Sequence, residues 1–369
     1  MIVDGPANKN QDFCLDVTEK EIHQTQLVKL GEDMRTKKLL VLLIVVGLLV
    51  LTPVGGCTED HEAPIRIAVE FNDHAASAYI AQDKGWFEEE GLELTTFESY
   101  VTGMALAAAL TRGDIEVAYI CLVPAINVYA NGGVPIKIVA GTHKYGYGLV
   151  VNPDKVKSIE DLQEPDIRVG CVREGGAVDI VLHKTMEKYR LEEGRVLDKI
   201  RRMNPPGQVM SIEMGQLDAA FLPEHWATIA NEFGLDMLVQ SRDVWPGMQG
   251  SVLVVQEDLV NNRPEALAKL VKVTQKATDW INKHPDEAAE VVARRLKVAG
   301  GEVLPIEVAE TTAKLEVTSR LMSRSMCNLE YTTSIDLKAV QDTIDYLAEL
   351  GYIKHSFSAD DILDLRYLK

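Results

Sequence analysis

Apolar and polar positions follow three different rhythms along this chain. Between Leu39 and Leu51 they do not alternate at all, and an uncharged apolar run follows Arg35, Lys37 and Lys38. From Ile65 short apolar stretches alternate with segments of helical spacing. The strands expected are IRIAVEF (65–71), the end of KGWFEEEGLEL, IEVAYI (115–120), IKIVAG (136–141), YGLVV (147–151), IRVGCV (167–172), DAAFL (218–222) and SVLVV (251–255). Helices are expected over 75–82, over 104–114 with Gly113 as its C-cap, from about Cys121 to Tyr129, over 176–191, over 207–214 and up to Phe233. From Pro264 onward the pattern is almost purely helical, with an apolar stripe at Leu267, Leu270, Val271, Thr274, Ala277 and Ile281. Strands alternating with helices predict parallel α/β sheets.

The chain also echoes itself. GDIEVAYI (113–120) and GQLDAAFL (215–222) align without a gap, so that Ile115 matches Leu217, Glu116 matches Asp218 and Tyr119 matches Phe221. In each, a helix stops at Gly, an acidic residue opens a short buried strand, and another helix follows. Chance likeness of two α/β units is one reading. The other is two similar lobes, each presenting the same strand end. Ligands of open α/β sheets bind beyond the carboxyl ends of the strands, where helix N-termini point free N–H groups outward. Two lobes arranged face to face make a cleft.

The first rhythm reads as an export signal, with a basic start, a short apolar core, Pro53, and Val54-Gly55-Gly56 before Cys57. The core is shorter than the ~20 residues of a spanning helix. A Cys after two glycines looks like a lipobox, which makes Cys57 the expected lipid-modified first residue of a mature chain. An uncut membrane anchor is the alternative. Either way the body of the chain is expected outside the cytoplasm, tethered to the membrane. Residues 1–33 read as a mis-assigned start, with Met34 the initiator, and 34–56 as the signal.

Residues 57–369 have the length of two ordinary domains and keep 32 basic against 49 acidic side chains, a net charge of −17. That balance argues against nucleic acid and against an anionic membrane surface as partner. Cys121, Cys171 and Cys327 lie far apart, without CxxC or a metal-like spacing. They are expected as small buried apolar residues, with one disulfide among them left open. No cofactor and no metal is expected. The sequence holds no GxSxG, HExxH or Walker loop, and its eight histidines are scattered, so an enzyme is not expected.

IRIAVEFNDHAASAYIAQDKGWFEEEGLEL, the Gly-Asp-Ile-Glu-Val-Ala strand and VPAINVYANGGVPIKIVAG together resemble the NitT/TauT family of periplasmic substrate-binding proteins of ABC transporters, whose solutes include sulfonates, nitrate, taurine and thiamine precursors. SIEDL (158–162), GQLDAAFLPEHW (215–226), DVWPGMQGSVLVVQEDLV (243–260) and ATDWINKHPDEAAEVVA (277–293) extend the resemblance from about Ile65 to the end. It implies a two-lobed α/β fold of the type II binding-protein class, each lobe a mostly parallel sheet flanked by helices. Lobe one is expected at 65–150 plus 251–369 and lobe two at 151–250, with YGLVV and SVLVV at the crossovers. It further implies a small-molecule ligand, and as partners a permease and its ATPase subunit. The alternatives are a binding protein for thiamine-related pyrimidine precursors or, as enzymes of the same fold, the pyrimidine synthases of thiamine biosynthesis. They carry a Cys-rich run that is absent here.

On this resemblance, loops at the strand ends line a ligand cleft. Asn72 and His74 form the first; a helix cap and a solvated histidine are the plainer reading. Thr102, Gly103 and Met104 form the second, where Thr102 also suits N-capping. Cys121 and Leu122 form the third, an apolar version of a loop that is usually small and polar. His143 stands in the fourth, beside Lys144. From lobe two come Arg173, Gly175 and Gly176, a backbone cradle for an oxyanion with Arg173 as a bidentate contact, or else an Arg173–Glu174 surface pair. Glu224 and His225 close the set, with Trp226 as ligand contact or core. The expected solute is a small organic anion or zwitterion.

Overall fold

The computed structural model describes residues 63–304 and 317–368. The expectations for 1–33, for the signal at 34–56 and for Cys57 lie outside these residues. Two sheets organise the fold. The first contains β1 (Ile65–Glu70), β2 (Leu94–Tyr100), β3 (Val117–Cys121), β4 (Ile136–Tyr145), β10 (Gln249–Gln256) and β11 (Leu329–Tyr331), in the order β11-β4-β10-β3-β1-β2. The second contains β5 (Tyr147–Val151), β6 (Val169–Cys171), β7 (Arg201–Arg202), β8 (Ala219–Pro223) and β9 (Asp236–Gln240), in the order β7-β6-β8-β5-β9. β1 runs parallel to β2 and β3, and β6 parallel to β7 and β8. β10 and β5 are the antiparallel insertions, each between two neighbours of its own sheet.

Both antiparallel strands stand directly after a passage between sheets. The chain leaves the first sheet at Tyr145, turns at Gly146 and enters the second as β5; it returns after β9 through a short helix, Ser241–Val244, into β10. YGLVV therefore pairs wholly within the second sheet, and β4 runs four residues past the IKIVAG stretch. Pairing with β11 explains that extension, since Leu329, Glu330 and Tyr331 oppose Tyr145, Lys144 and His143. β11 interrupts a region whose pattern is otherwise helical, and β7 and β9 also lack a clear strand signal. Each is short or lies at a sheet edge, where the polar side chains of Arg201-Arg202 and of Asp236 and Gln240 meet water.

The echo of GDIEVAYI and GQLDAAFL is a geometric repeat. Gly113 and Gly215 both take positive φ, 77° and 63°. Glu116 then accepts the backbone N–H of Arg66 at the start of β1, and Asp218 accepts that of Arg168 beside β6. In both cases the arginine side chain closes back on the same carboxylate. An acidic residue so placed holds an amide at the start of the neighbouring parallel strand.

Helices cover both sheets. The helix Pro264–Lys283 buries the whole stripe expected of it, Leu267, Leu270, Val271, Thr274, Ala277 and Ile281, against the first sheet and the helix Ala76–Asp83. Pro285–Val303 continues that layer. Leu337–Glu349 packs its apolar face against the helix Leu122–Ala130. No helix among the described residues is long and apolar enough to cross a membrane.

Candidate functional site

A cavity of about 670 Å³ opens between the carboxyl ends of the two sheets. Its walls are built from helix starts. Thr102, Cys121, Gly176, Asn204 and Pro223 all line it, and each is the N-cap of a helix: Gly103–Arg112, Leu122–Ala130, Ala177–Tyr189, Pro205–Glu213 and Glu224–Asn231. Thr102 and Asn204 cap their helices with side-chain oxygens, on Ala105 N and Gly207 N. The other three make no side-chain cap. Five partial positive charges thus face one volume. Val101, Met104, Ala105, Ala108, Pro124, Val172, Val178, Met203 and Pro205 give the walls their apolar part.

Of the residues expected from sequence, Asn72, Thr102, Gly103, Met104, Cys121, Arg173 and Gly176 line this cavity. Gly103 is there of necessity, because a Cβ would stand 2.3 Å from Glu70 Oε1 and 2.8 Å from Pro124. Arg173 is exposed on the rim. Glu174 pairs with Arg202 instead, at 3.7 Å, and no described residue accepts a hydrogen bond from the Arg173 guanidinium. The Arg173–Glu174 pair is thereby set aside. The expected backbone cradle is also corrected: Gly175 N–H donates to Asp179 Oδ2 and Gly176 N–H to Arg173 O, so both amides are already satisfied. Gly175 itself turns away and packs on Tyr352.

His74, Leu122, His143, Glu224 and His225 do not line the cavity; all are buried behind it. Leu122 is core. His74, neither a solvated bystander nor a wall, bonds through Nε2 to Gly146 O at 2.8 Å, and its ring lies tilted beside that of His143 with centroids 4.4 Å apart. Burial lowers the His74 pKa to about 4, and holds His143 and His225 well below the usual range. His143 faces inward because β4 continues through it. Glu224 accepts from Asn328 Nδ2 at 2.7 Å and from Thr228, and burial raises its pKa to about 7. His225 packs on Trp226, which is core.

Sequence reading missed four polar wall residues, Glu70, Tyr147, Arg202 and Asn204. Glu70 and Tyr147 are strand residues read only as core pattern, and Arg202 and Asn204 lie on and just after β7, which carries no clear strand signal. Glu70 is 3% exposed and its carboxylate accepts from Cys121 N at 2.7 Å, from Asn72 Nδ2 at 3.1 Å and from the Cys121 thiol at 3.0 Å. Tyr147 donates to Cys121 Sγ at 2.8 Å. Burial raises the pKa of Glu70 and holds the thiol well above its ordinary value, with the Glu70 charge adding to the latter. Cys121 is therefore a hydrogen-bonded group rather than a small apolar filler, and Cys327 is exposed rather than buried; Cys171 is buried as expected. All three are free thiols.

The model of the NMT1-like family matches residues 59–297. A putative binding protein of Brucella abortus is 27% identical over 228 residues, covering 59% of this chain and 67% of that protein. A putative aliphatic sulfonates-binding protein of Bacillus subtilis is 24% identical over 344 residues, 90% of this chain and 96% of its own length. Among solved structures, the alkanesulfonate-binding protein of Xanthomonas axonopodis bound to MOPS superposes with a TM-score of 0.66 at 14% identity, over 82% of this chain and 98% of that one. The fold is that of the periplasmic binding proteins.

Proposed function

Starting from a chain that belongs to the NMT1-like family, we propose that this protein is the solute-binding component of an ABC importer. It captures a small organic anion or zwitterion in the cavity between its two sheets and presents it, outside the cytoplasm, to a permease driven by an ATPase subunit. The observation that carries this reading is the convergence of five helix N-caps from both sheets on one cavity. Such an arrangement favours negative charge without needing a buried cation. The name of the Bacillus subtilis relative supports a sulfonate-like solute.

In this reading the sheets are the cores of two lobes, joined at Gly146 and at the Trp245–Met248 passage, and a solute that touches both favours the closed form. Asn72, Thr102, Gly103, Met104 and Cys121 contact it from the first lobe, and Arg173 and Gly176 from the second. Arg173 has a guanidinium open to the cavity and supplies the charge-assisted bond. Cys57 carries the lipid that tethers the chain.

A thermal-shift screen of the purified protein against alkanesulfonates, taurine, nitrate and aminopyrimidines tests the reading. A true solute at 100 times its Kd adds about 2.7 kcal/mol of stability. Arg173→Ala weakens an anionic hit by about 1.5–3 kcal/mol, tenfold or more in Kd by calorimetry. Stabilisation by none of these classes, or turnover of any of them, overturns it. Cys57→Ser moves the protein from the membrane pellet to the soluble fraction; retention in the pellet would mark 39–51 as an uncut anchor.

A further inference from the structure

Three buried side chains on separate elements meet where the cavity ends. Glu70 closes β1, His74 lies in the turn after it, and Cys121 closes β3. Their ligand atoms all lie within 4.8 Å of one another. Cys121 Sγ stands 3.7 Å from His74 Nδ1 and 3.0 Å from Glu70 Oε2. A tetrahedral zinc with ordinary bond lengths sets its sulfur and nitrogen ligands roughly 3.5 Å apart. We propose that Glu70, His74 and Cys121 form a binding site for one zinc-class divalent cation, with a coordination position open to the cavity.

A second observation comes from the groups behind the three ligands. Gly146 O can only accept, so the neutral His74 ring carries its proton on Nε2 and turns a bare Nδ1 toward Cys121. Tyr147 O–H and Ser251 O–H both aim at Cys121 Sγ, at 2.8 and 3.5 Å, as donors to a thiolate. Asn72 Nδ2–H and Cys121 N–H orient the Glu70 carboxylate. Each ligand is thus held by a partner of the kind that fixes metal ligands. Charge closes as well: one thiolate and one carboxylate balance a divalent ion. Binding breaks the S–H bond, forms the metal–sulfur bond and releases that proton to solvent. A sulfur, an imidazole and a single carboxylate favour zinc-class ions over Mg²⁺ or Ca²⁺, which want oxygen. Glu70, Cys121 and Tyr147 line the cavity, so the remaining position faces it. A solute with a lone pair or negative charge is the group that would complete it.

Titration of the purified, metal-stripped full chain with Co²⁺ reads the site directly. The expected result is one ion per chain with a thiolate-to-cobalt charge-transfer band in the near ultraviolet, displaced by Zn²⁺. Cys121→Ser abolishes the band, His74→Gln weakens binding at least tenfold, and Cys327→Ser leaves both unchanged. Tyr147→Phe, which removes only a supporting donor, weakens binding about 10–100-fold with the band retained. No stoichiometric uptake, or a band that survives Cys121→Ser, overturns the proposal; should Cys121→Ser not fold, an unaltered affinity in His74→Gln does so. None of these readouts depends on solute capture, so the site and the transport reading can fail separately.

Discussion

Gly146 shows how much one residue can decide. It takes φ 89° and its carbonyl accepts both His74 Nε2–H and Glu224 N–H, which ties the turn between sheets to one helix start and to the buried histidines. A Cβ there would lie 2.8 Å from His74 Nε2 and 3.1 Å from His143 Cε1. Gly133 has a similar backbone, φ 64°, but open space around the missing Cβ. Positive φ alone costs an L-residue roughly 1–2 kcal/mol. Gly133→Ala should therefore lose about that much in urea unfolding, and Gly146→Ala distinctly more, because the two imidazoles have no room to retreat. Equal losses would mean that the turn relaxes without strain. From sequence, Gly146 is one glycine among 26, and nothing local marks it. Arg173 was legible because its type and its loop both pointed to anions. Glu70 was not, since a carboxylate at the end of IRIAVE reads as the polar end of a strand.

At the scale of elements, the repeated strand start is the feature that sequence and structure share most closely. The two copies differ in burial, and that difference sets their worth. Asp218 is 1% exposed and is held by Arg168 Nε and by Lys155 Nζ, at 2.7 and 2.6 Å. Burial alone would raise its pKa, but the bonds from Arg168 and Lys155 outweigh that and hold the carboxyl well below its ordinary range. A depressed folded-state value contributes stability above the unfolded value near 3.9, lost as pH falls toward the folded one. Glu116 and Arg66 are more open, at 24% and 40%, with a longer 3.4 Å contact. Asp218→Asn should cost about 2–3 kcal/mol at pH 7, and Glu116→Gln under about 1 kcal/mol. Chemical denaturation checks both, and a larger loss from Glu116→Gln would invert the argument. The helix Pro264–Lys283 was equally legible, because a long amphipathic stripe fixes which face is buried. β11 was not, since three residues paired across a distant strand leave no period to read.

The whole molecule turns on the passage between sheets, and its electrostatics can be read through pH. Glu224 sits at that passage, facing Asp73, Arg242, Thr228 and Asn328. Burial is the largest influence on it and raises its pKa from 4.5 to about 7. A raised folded-state value means that the native form holds the proton more tightly. Its contribution to stability is complete below pH 4.5 and drains away as pH rises through 7. Glu224→Gln lacks that dependence. Its melting temperature relative to the parent chain should climb from pH 4.5 to about 7 and then level off, and a difference independent of pH would show Glu224 to be ordinary in the folded state.

The sequence by itself determined the alternation of strands and helices, the internal repeat, the stripe of Pro264–Lys283 and most of the loops that reach the cavity. These are encoded locally, in periods and caps that hold wherever the chain goes. Only the tertiary structure decided which side chains face the cavity and which stand behind it. His74 and Glu224 pass to the interior because the crossover at Gly146 claims them, and Gly175 and Gly176 spend their amides on Asp179 and Arg173. Glu70, His74 and Cys121 meet across 51 residues of chain. Neighbours at that separation are brought together by sheet register, which no local spacing records.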